Sequence, residues 1–362
     1  MAVCSDATVK IMRILIIKTS SLGDVIHALP VLDYLRQVAP EARIDWVVEE
    51  QFLPLVARNP LLYRVHVIRT KAWRKAPLAR QTRQEVALLR RALRETQYDL
   101  VFDLQGNLKS GLVAWLTGAG QRIGFSADGV QERLNLLFTN ARVPFRDEDK
   151  LATGRYLRLV SAHFGHDYRD MSITSTIVSS PDDEATANAY LSGLPEGRKI
   201  LLQVGTTWET KLWYAEGWIA LARRILADYP AATLLINWGS PAEKELGERI
   251  VAEVGSSVRL LHWFKIKELI PLIKHVDLVI GGDTGPVYLA GALDRPTVSL
   301  YRATKAELYA PAGPQHRALQ AAMPCAGCQL TRCERNEQCS RSITVDKVME
   351  AVIAVLTEKG SQ

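Results

Sequence analysis

The sequence predicts an α/β protein made of two halves, each with a parallel sheet between layers of helices. The first observation is that short apolar runs alternate with longer segments whose apolar residues recur at helical spacing, from residue 14 to residue 300. Strands that alternate with helices of this length form parallel sheets covered on both faces. The second observation is the length of 362 residues, which is enough for two domains of ordinary size.

The first half begins with the apolar strand at residues 14–18. Its predicted elements continue in order as a helix at about 25–38, strands at 44–48 and 65–68, a helix at about 83–95, a strand at 100–104 and a helix from residue 109. Residues 140–185 are polar and are expected to hold the domain boundary. This places the N-terminal domain at residues 1–178.

The second half shows the alternation more clearly, and its domain is predicted at residues 179–344. Its elements are a strand at 200–204, a helix through Trp218 and Ile225, a strand at 233–237, a helix after Pro241, a strand at 258–261, a helix through Leu269, a strand at 278–280, a helix from Gly285 and a strand at 297–300. A last helix in residues 345–362 has one apolar stripe. It is a candidate to pack back on the N-terminal domain.

The turn after the first strand, residues 18–30, distinguishes this chain from dinucleotide-binding enzymes. A turn that holds a pyrophosphate carries G-x-G-x-x-G, and neither half has that fingerprint, which argues against a nicotinamide oxidoreductase. Here Gly23 is the single glycine, and Asp24 lies at the mouth of the helix, where a carboxylate would repel phosphate. Two interpretations of Asp24 remain open: a helix N-cap, or a general base at the carboxyl end of a strand.

Three clusters in the second half follow strands and are expected to face a cleft between two Rossmann-like domains. They are Thr206, Thr207 and Lys211; Glu243; and Asp283, Thr284 and Gly285. The first cluster offers hydroxyls and an ammonium group that can bind an oxygen anion. The second places a carboxylate in the first turn of a helix, where the helix dipole favours it. The third lies at the start of a helix, whose free N–H groups can bind a phosphate. The alternatives are a loop with a surface lysine, a capping acid and an ordinary glycine-rich turn.

The net charge of +6 is mild, but one segment concentrates cations. Between residues 69 and 83 there is no acidic residue, Trp73 is included, and the cations are Arg69, Lys71, Arg74, Lys75, Arg80 and Arg83. This pattern indicates a site for a phosphorylated or carboxylated partner, an anionic membrane surface or nucleic acid. The alternative is a solvated basic face.

Four of the five cysteines lie within fifteen residues, at Cys325, Cys328, Cys333 and Cys339. This spacing favours a structural zinc site over disulfides, with unliganded thiols as the alternative. No stretch reaches the roughly 18 apolar residues of a membrane-spanning helix. Residues 1–10 have no apolar core of a signal peptide, so a cytoplasmic location is expected.

Four motifs, in this order on these elements, resemble the ADP-heptose:lipopolysaccharide heptosyltransferases, which are GT-B fold enzymes of glycosyltransferase family 9. They are Lys18-Thr-Ser-Ser-Leu-Gly-Asp24, Thr206-Thr207-x3-Lys211-x-Trp213, Trp238-Gly-x-Pro-x-Glu243 and Asp283-Thr-Gly285. The similarity covers about residues 12–355. The paired threonines and the segment Lys71-Ala-Trp-Arg-Lys75 are more similar to heptosyltransferase I than to heptosyltransferase II.

The resemblance implies an inverting, metal-free transfer of heptose from ADP-heptose to the Kdo region of a Kdo-lipid A type acceptor at the inner face of the cytoplasmic membrane. Asp24 would deprotonate the acceptor hydroxyl, with Ser20 and Ser21 beside it. Acceptor carboxylates or phosphates would bind Lys71, Arg74 and Lys75. The donor would be held by Lys211, Thr206, Thr207, Glu243, Asp283, Thr284 and Gly285.

The sequence departs from the family pattern at two positions of the second half. Tyr288 stands where the family often has His, and Lys305 ends a turn where a Gly-Pro-Thr-Asp-like sequence is expected. The alternatives are therefore heptosyltransferase II or a family 9 enzyme that uses a different nucleotide sugar. A nucleic-acid-binding protein is the alternative from another class, and no nucleic acid is expected as a partner.

Overall fold

The computed structural model describes residues 11–358, with side chains up to Thr357. The leader at residues 1–10 and the end of the chain at 359–362 lie outside the described residues. The chain divides into two compact units: residues up to 149 with 153–175, and residues 150–152 with those from 176 onward. The sequence placed this division after residue 178.

The first unit contains six strands within its described residues. They are β1 (Arg13–Ile17), β2 (Arg43–Glu49), β3 (Arg64–Ile68), β4 (Leu100–Asp103), β5 (Gln121–Phe125) and β6 (Ala141–Val143). The helices are α1 (Leu22–Ala28), α2 (Pro30–Val38), α3 (Thr70–Lys75), α4 (Arg80–Thr96), α5 (Leu108–Leu116) and α6 (Ala152–Phe164). Short 3₁₀ helices span Glu50–Leu55, Arg133–Leu137 and Tyr168–Asp170.

The second unit also contains six strands within its described residues. They are β7 (Lys199–Gln203), β8 (Thr233–Asn237), β9 (Val258–Leu260), β10 (Leu278–Gly282), β11 (Thr297–Tyr301) and β12 (His316–Gln320). The helices are α7 (Pro181–Ser192), α8 (Ala215–Asp228), α9 (Pro241–Val254), α10 (Ile266–Lys274), α11 (Gly285–Ala292), α12 (Ala306–Tyr309), α13 (Asn336–Arg341) and α14 (Val345–Glu358). A 3₁₀ helix spans Glu209–Lys211.

Each unit has one parallel six-stranded sheet. The strand orders are β3-β2-β1-β4-β5-β6 and β12-β11-β10-β7-β8-β9, so the order reverses next to β1 and next to β7. Ile14 to Ile17 are all fully buried, as expected for a strand covered by helices on both faces. The predicted α/β class with two parallel-sheet, Rossmann-like units is confirmed. Ligands of such sheets bind at the carboxyl ends of the strands where the order reverses.

Several local predictions differ from the structure. The helix expected at about 25–38 is two helices, because Pro30 begins α2 and has no N–H to continue the ladder of α1. The stretch at 140–185, which was expected to be a polar boundary, contains β6, α6 and the beginning of α7. The last strand is β12 rather than β11; its half-exposed sequence lacks the apolar run that identifies a buried strand.

The C-terminal helix α14 lies in the second unit. Its buried residues Val348, Val352 and Val355 join the core of the second unit. The helix packs on α8, β11 and β12. The apolar stripe was predicted, but the stripe alone does not specify which domain covers it.

Candidate functional site

In the first unit, Asp24 lies in the first turn of α1, and both of its carboxylate oxygens have polar partners. Oδ2 accepts hydrogen bonds from the N–H of Ser21 (3.0 Å) and its hydroxyl (2.7 Å). Oδ1 accepts a hydrogen bond from the hydroxyl of Tyr156 (3.0 Å) and lies 3.7 Å from Nζ of Lys18. The side chain of Asp24 is 41% exposed. The capping interaction is therefore present, and it uses Oδ2, while Oδ1 lies beside a cation and a phenol.

The charge state of this turn follows from burial and pairing. Burial by itself raises the pKa of Asp24, but Lys18, the two bonds from Ser21 and the bond from Tyr156 outweigh it, so the pKa lies below its ordinary value. Burial lowers the pKa of Lys18, against the opposing effects of Asp24 and Asp103. Asp24 is consequently an ionised, partly exposed carboxylate at neutral pH. That is the form a general base needs.

The backbone at the predicted Ser20 is held by Gln105. Oε1 of Gln105 accepts hydrogen bonds from the N–H groups of Thr19 (3.1 Å) and Ser20 (3.0 Å), and from the hydroxyl of Thr19 (3.2 Å). Sequence reasoning missed Gln105 and Tyr156, and it gave no role to Lys18, the first residue of the first motif. The signal for Gln105 was its position just after β4, the neighbour of β1 in the sheet.

The predicted basic segment at residues 69–83 contains α3 and the start of α4, and the α3 cations Lys71, Arg74 and Lys75 are exposed. Within residues 11–358 these three form no ion pair. Arg69 differs from them, because it pairs with Glu50 (2.7 Å) and Glu85 (3.0 Å) from outside the segment. Only part of the segment is thus available to an anionic partner.

In the second unit, Asp283 is the centre of a polar cluster after β10. Its Oδ2 lies 2.8 Å from Nζ of Lys211, and Thr304 and Tyr288 also donate hydrogen bonds to the carboxylate. The backbone oxygen of Asp283 accepts a hydrogen bond from the hydroxyl of Thr206 (3.2 Å). The structure therefore brings together the predicted Thr206, Lys211 and Asp283, and it gives Tyr288 a contact within the same cluster.

The other predicted donor-site residues occupy three neighbouring loops of this unit. Thr284 is the N-cap of α11, Gly285 is its first residue, and Thr207 is exposed in the loop after β7. Lys305, at the second departure from the family pattern, is exposed and pairs with Glu307 at 3.6 Å.

Glu243 lies next to the loop after β7. Its Oε2 accepts a hydrogen bond from the N–H of Gly239 (2.7 Å), and Ser240 caps the same helix. A Cβ built on Gly205 would lie 1.9 Å from Cδ of Glu243, so a side chain at position 205 would displace the carboxylate. The capping interpretation of Glu243 is thus incomplete, because its carboxylate also reaches across to the neighbouring loop.

The predicted zinc site does not fit the structure. All four cysteines are unbridged, and within residues 11–358 no group of three or more His, Cys, Asp or Glu side chains is placed to hold a metal. The thiols lie in different environments and do not converge on one point. Cys339 is on α13 and packs against the apolar core of the second unit, whereas Cys328 is exposed in a preceding turn. Cys339 thus behaves as a small apolar residue.

No helix within residues 11–358 combines the length and the hydropathy that crossing a bilayer requires.

Comparison with known proteins gives concordant matches over most of the chain. Residues 86–338 match the family model described as glycosyltransferase family 9 (heptosyltransferase). Lipopolysaccharide heptosyltransferase 1 of Pseudomonas aeruginosa is 31% identical over 326 residues, which are 89% of this chain and 87% of that protein. The Escherichia coli K12 protein of the same name is 31% identical over 295 residues, 81% of this chain and 88% of its own. The solved structure of E. coli heptosyltransferase WaaC with ADP-2-deoxy-2-fluoro heptose has a TM-score of 0.71 and 28% identity, covering 94% of this chain and 99% of that one.

Proposed function

The chain belongs to glycosyltransferase family 9, the heptosyltransferase family, and from that premise we propose that it transfers heptose from ADP-heptose to the Kdo region of the lipopolysaccharide inner core. Its two Rossmann-like units are of the GT-B type. The observation that carries the proposal is the joint presence of an ionised Asp24 in the first unit and the Lys211–Asp283 cluster in the second.

The proposed reaction is a direct displacement at the anomeric carbon of the donor. The acceptor hydroxyl loses its proton to Oδ1 of Asp24, its oxygen forms the new glycosidic bond, and the bond from the anomeric carbon to the diphosphate breaks with release of ADP. Attack from the face opposite the leaving group inverts the anomeric centre. The chemistry needs one base on the acceptor and cationic support on the diphosphate, and each unit supplies one of them.

Donor binding is proposed for the loops at the carboxyl ends of β7, β8 and β10. Lys211, Thr206 and the N–H groups of Thr284 and Gly285 would bind the diphosphate, since a helix N-terminus attracts anions. The carboxylate of Glu243 would accept hydrogen bonds from the ribose hydroxyls. Asp283 holds the ammonium of Lys211 in place at 2.8 Å. In this scheme the cation and the backbone N–H groups stabilise the diphosphate without a metal ion.

The proposal is tested by incubating the purified chain with ADP-heptose and a Kdo-lipid A acceptor. Release of ADP and a mass gain of one heptose on the acceptor are expected. UDP-, GDP- and CMP-sugars serve as controls, and an acceptor that already carries one heptose distinguishes heptosyltransferase I from heptosyltransferase II. Transfer from a different nucleotide sugar alone would assign the chain to another activity of family 9, as Tyr288 and Lys305 leave open.

We expect the exposed cations of α3 to bind the carboxylates or phosphates of the acceptor. Reversing Arg74 and Lys75 to Glu should raise the acceptor KM and flatten its salt dependence, because exposed charges are screened by ions. The affinity for ADP should not change. Titration of ADP by calorimetry checks this point, and an equal loss of ADP affinity would assign α3 to the donor site or to the fold.

Peripheral association with an anionic membrane is proposed for the face of α4. A groove of about 630 Å³ runs along this helix and is lined by Arg83, Arg90 and Arg94, with Arg91 paired to Glu95 at its edge. Leu78, in the turn just before α4, is 82% exposed, and Leu88 is 67% exposed on a different side of the helix from these three arginines. The exposed arginines match the charge of an anionic bilayer, and the exposed Leu78 matches its apolar boundary.

Charge reversal at Arg83, Arg90 and Arg94 should release the protein from vesicles that contain phosphatidylglycerol, measured by co-sedimentation. Each cation near an anionic surface contributes about 1 kcal/mol to binding. Reversal of the exposed Arg259, Arg332 and Lys347 in the second unit changes the net charge equally and is the matched control. Equal loss of binding in both variants would mean that total charge, not the α4 face, holds the protein on the membrane.

A further inference from the structure

The loop that carries Lys211 is held by a segment to which the proposed reaction gives no role. We define the Lys211 loop as residues 208–213 and the cysteine-rich segment as residues 321–343, both in the second unit. Side-chain hydrogen bonds join the two, and none of them involves a cysteine. They are Thr210 Oγ1 to Leu330 O (2.5 Å), Asn336 Nδ2 to Glu209 Oε1 (3.2 Å), Ser340 Oγ to Leu212 O (3.2 Å) and Trp213 Nε1 to Ile343 O (2.9 Å).

Arg302, just after β11, lies at the centre of these contacts. It is 1% exposed, and its guanidinium donates hydrogen bonds to the backbone oxygen of Leu212 and to both oxygens of Asn336. Its backbone oxygen accepts a hydrogen bond from Gly327 (2.8 Å). Within residues 11–358 it forms no ion pair, and its Nε has no hydrogen-bond partner. Through its side chain and its backbone oxygen, Arg302 therefore connects the Lys211 loop with two points of the cysteine-rich segment.

The hydrogen bonds of the buried Arg302 guanidinium restrict the backbone of the Lys211 loop. A buried guanidinium is strongly destabilising unless its donors are satisfied, so the carbonyl oxygens of Leu212 and Asn336 must stay where they are. Leu212 is the residue next to Lys211. The opposite side of the loop is confined as well, since a Cβ on Gly282 would lie 3.2 Å from the backbone oxygen of Lys211. The backbone at Lys211 thus has little freedom, while Asp283 holds the ammonium.

We propose that Arg302 is a positioning residue, which acts with the cysteine-rich segment to fix the Lys211 loop so that the ammonium meets the diphosphate of the donor. The proposal rests on the proposed function for the role of Lys211. Arg302 acts through the carbonyl of Leu212 and does not itself touch the donor. The cysteine-rich segment thereby gains a role that needs neither a metal nor a disulfide.

The test compares Arg302→Met, Arg302→Lys and Ser340→Ala with the parent chain. Ser340→Ala removes one donor to Leu212 and keeps the buried guanidinium, so it remains informative if Arg302→Met fails to fold. Ser342→Ala is the matched control: its hydroxyl binds Ala322 and Cys339 within the segment and does not reach the loop. The readouts are amide hydrogen exchange of residues 208–213, calorimetric ADP affinity and steady-state kinetics.

Faster exchange in the Lys211 loop is expected for the Arg302 variants, with a fall in kcat of about 10-fold or more and an unchanged acceptor KM. Arg302→Lys should recover part of the loss, and Ser342→Ala should match the parent chain. Unchanged exchange at residues 208–213 would overturn the proposal whatever the reaction proves to be. Faster exchange with unchanged kcat and ADP affinity would also overturn it. If Lys211→Ala itself leaves kcat unchanged, the role of Lys211 in the proposed function fails. The hydrogen exchange of residues 208–213 tests the restraint of the loop by Arg302 independently of that role.

Discussion

Asp24→Asn should lower kcat by roughly 10²-fold or more while the affinity for ADP-heptose is unchanged. Asparagine keeps the size of the side chain and an oxygen that can accept the hydrogen bonds of Ser21, so the start of α1 should be preserved. What it loses is the ability to take a proton from the acceptor. Single-turnover rates with saturating donor, together with donor affinity by calorimetry, separate these two properties.

Asp33→Asn is a matched control for this variant. Asp33 is a carboxylate of the same unit that accepts hydrogen bonds from the N–H (2.8 Å) and hydroxyl (3.1 Å) of Thr174, and it has no proposed role in the reaction. Its kcat should equal that of the parent chain. Turnover at the parent rate in Asp24→Asn would reduce Asp24 to a helix cap and remove the proposed base.

The pH dependence gives a second test of the same residue. Because the pKa of Asp24 lies below its ordinary value, the base stays ionised as the pH falls through the range where a free Asp is protonated. Lys18→Met removes the strongest of the groups that lower this pKa. The pKa of Asp24 should therefore rise, and the acid limb of kcat/KM should move to higher pH. An acid limb that does not move would show that Lys18 has no control over the base.

The location of the candidate residues could be predicted because it follows from a general rule. Thr206 and Asp283 lie in the loops that follow the buried strands β7 and β10, and Asp24 lies in the first turn of the helix that follows β1. Parallel sheets place ligands at those strand ends. The run of apolar residues identifies the strand without any knowledge of its neighbours. The structure then places Thr206 and Asp283 in one cluster, as adjacent strand ends require.

Contacts between residues far apart in the chain could not be predicted in the same way. Tyr156 binds Asp24 across 132 positions, and no local pattern marks it. The segment 69–83 has no acidic residue of its own, yet Glu50 and Glu85 neutralise Arg69 in space. The four thiols of the predicted zinc shell are not brought together in the structure, for a related reason. Spacing brings four thiols close along the chain but does not set their direction, and Cys339 points into the core.

Lys211→Ala should lower kcat by raising the activation barrier by about 2–4 kcal/mol, the usual effect of removing a group that stabilises charge in the transition state. The ammonium lies 2.8 Å from Asp283 and 4.2 Å from the ring centre of Trp208, so its position is defined on two sides. Negative charge grows on the diphosphate as its bond to the sugar breaks. Loss of the cation should therefore affect kcat more than donor KM.

Two controls separate this effect from changes in the fold and from metal chemistry. Lys267→Ala removes an exposed lysine of the same unit that pairs with Asp183, and its kcat should not change. Thermal unfolding of Lys211→Ala measures the cost of leaving Asp283, which is 6% exposed, without its cation. Activity of the parent chain should persist in EDTA, because the ammonium and the backbone N–H groups carry the diphosphate charge. Activity that vanishes in EDTA and returns only with magnesium would contradict the metal-free scheme, and Lys211 would then assist a cation rather than replace it.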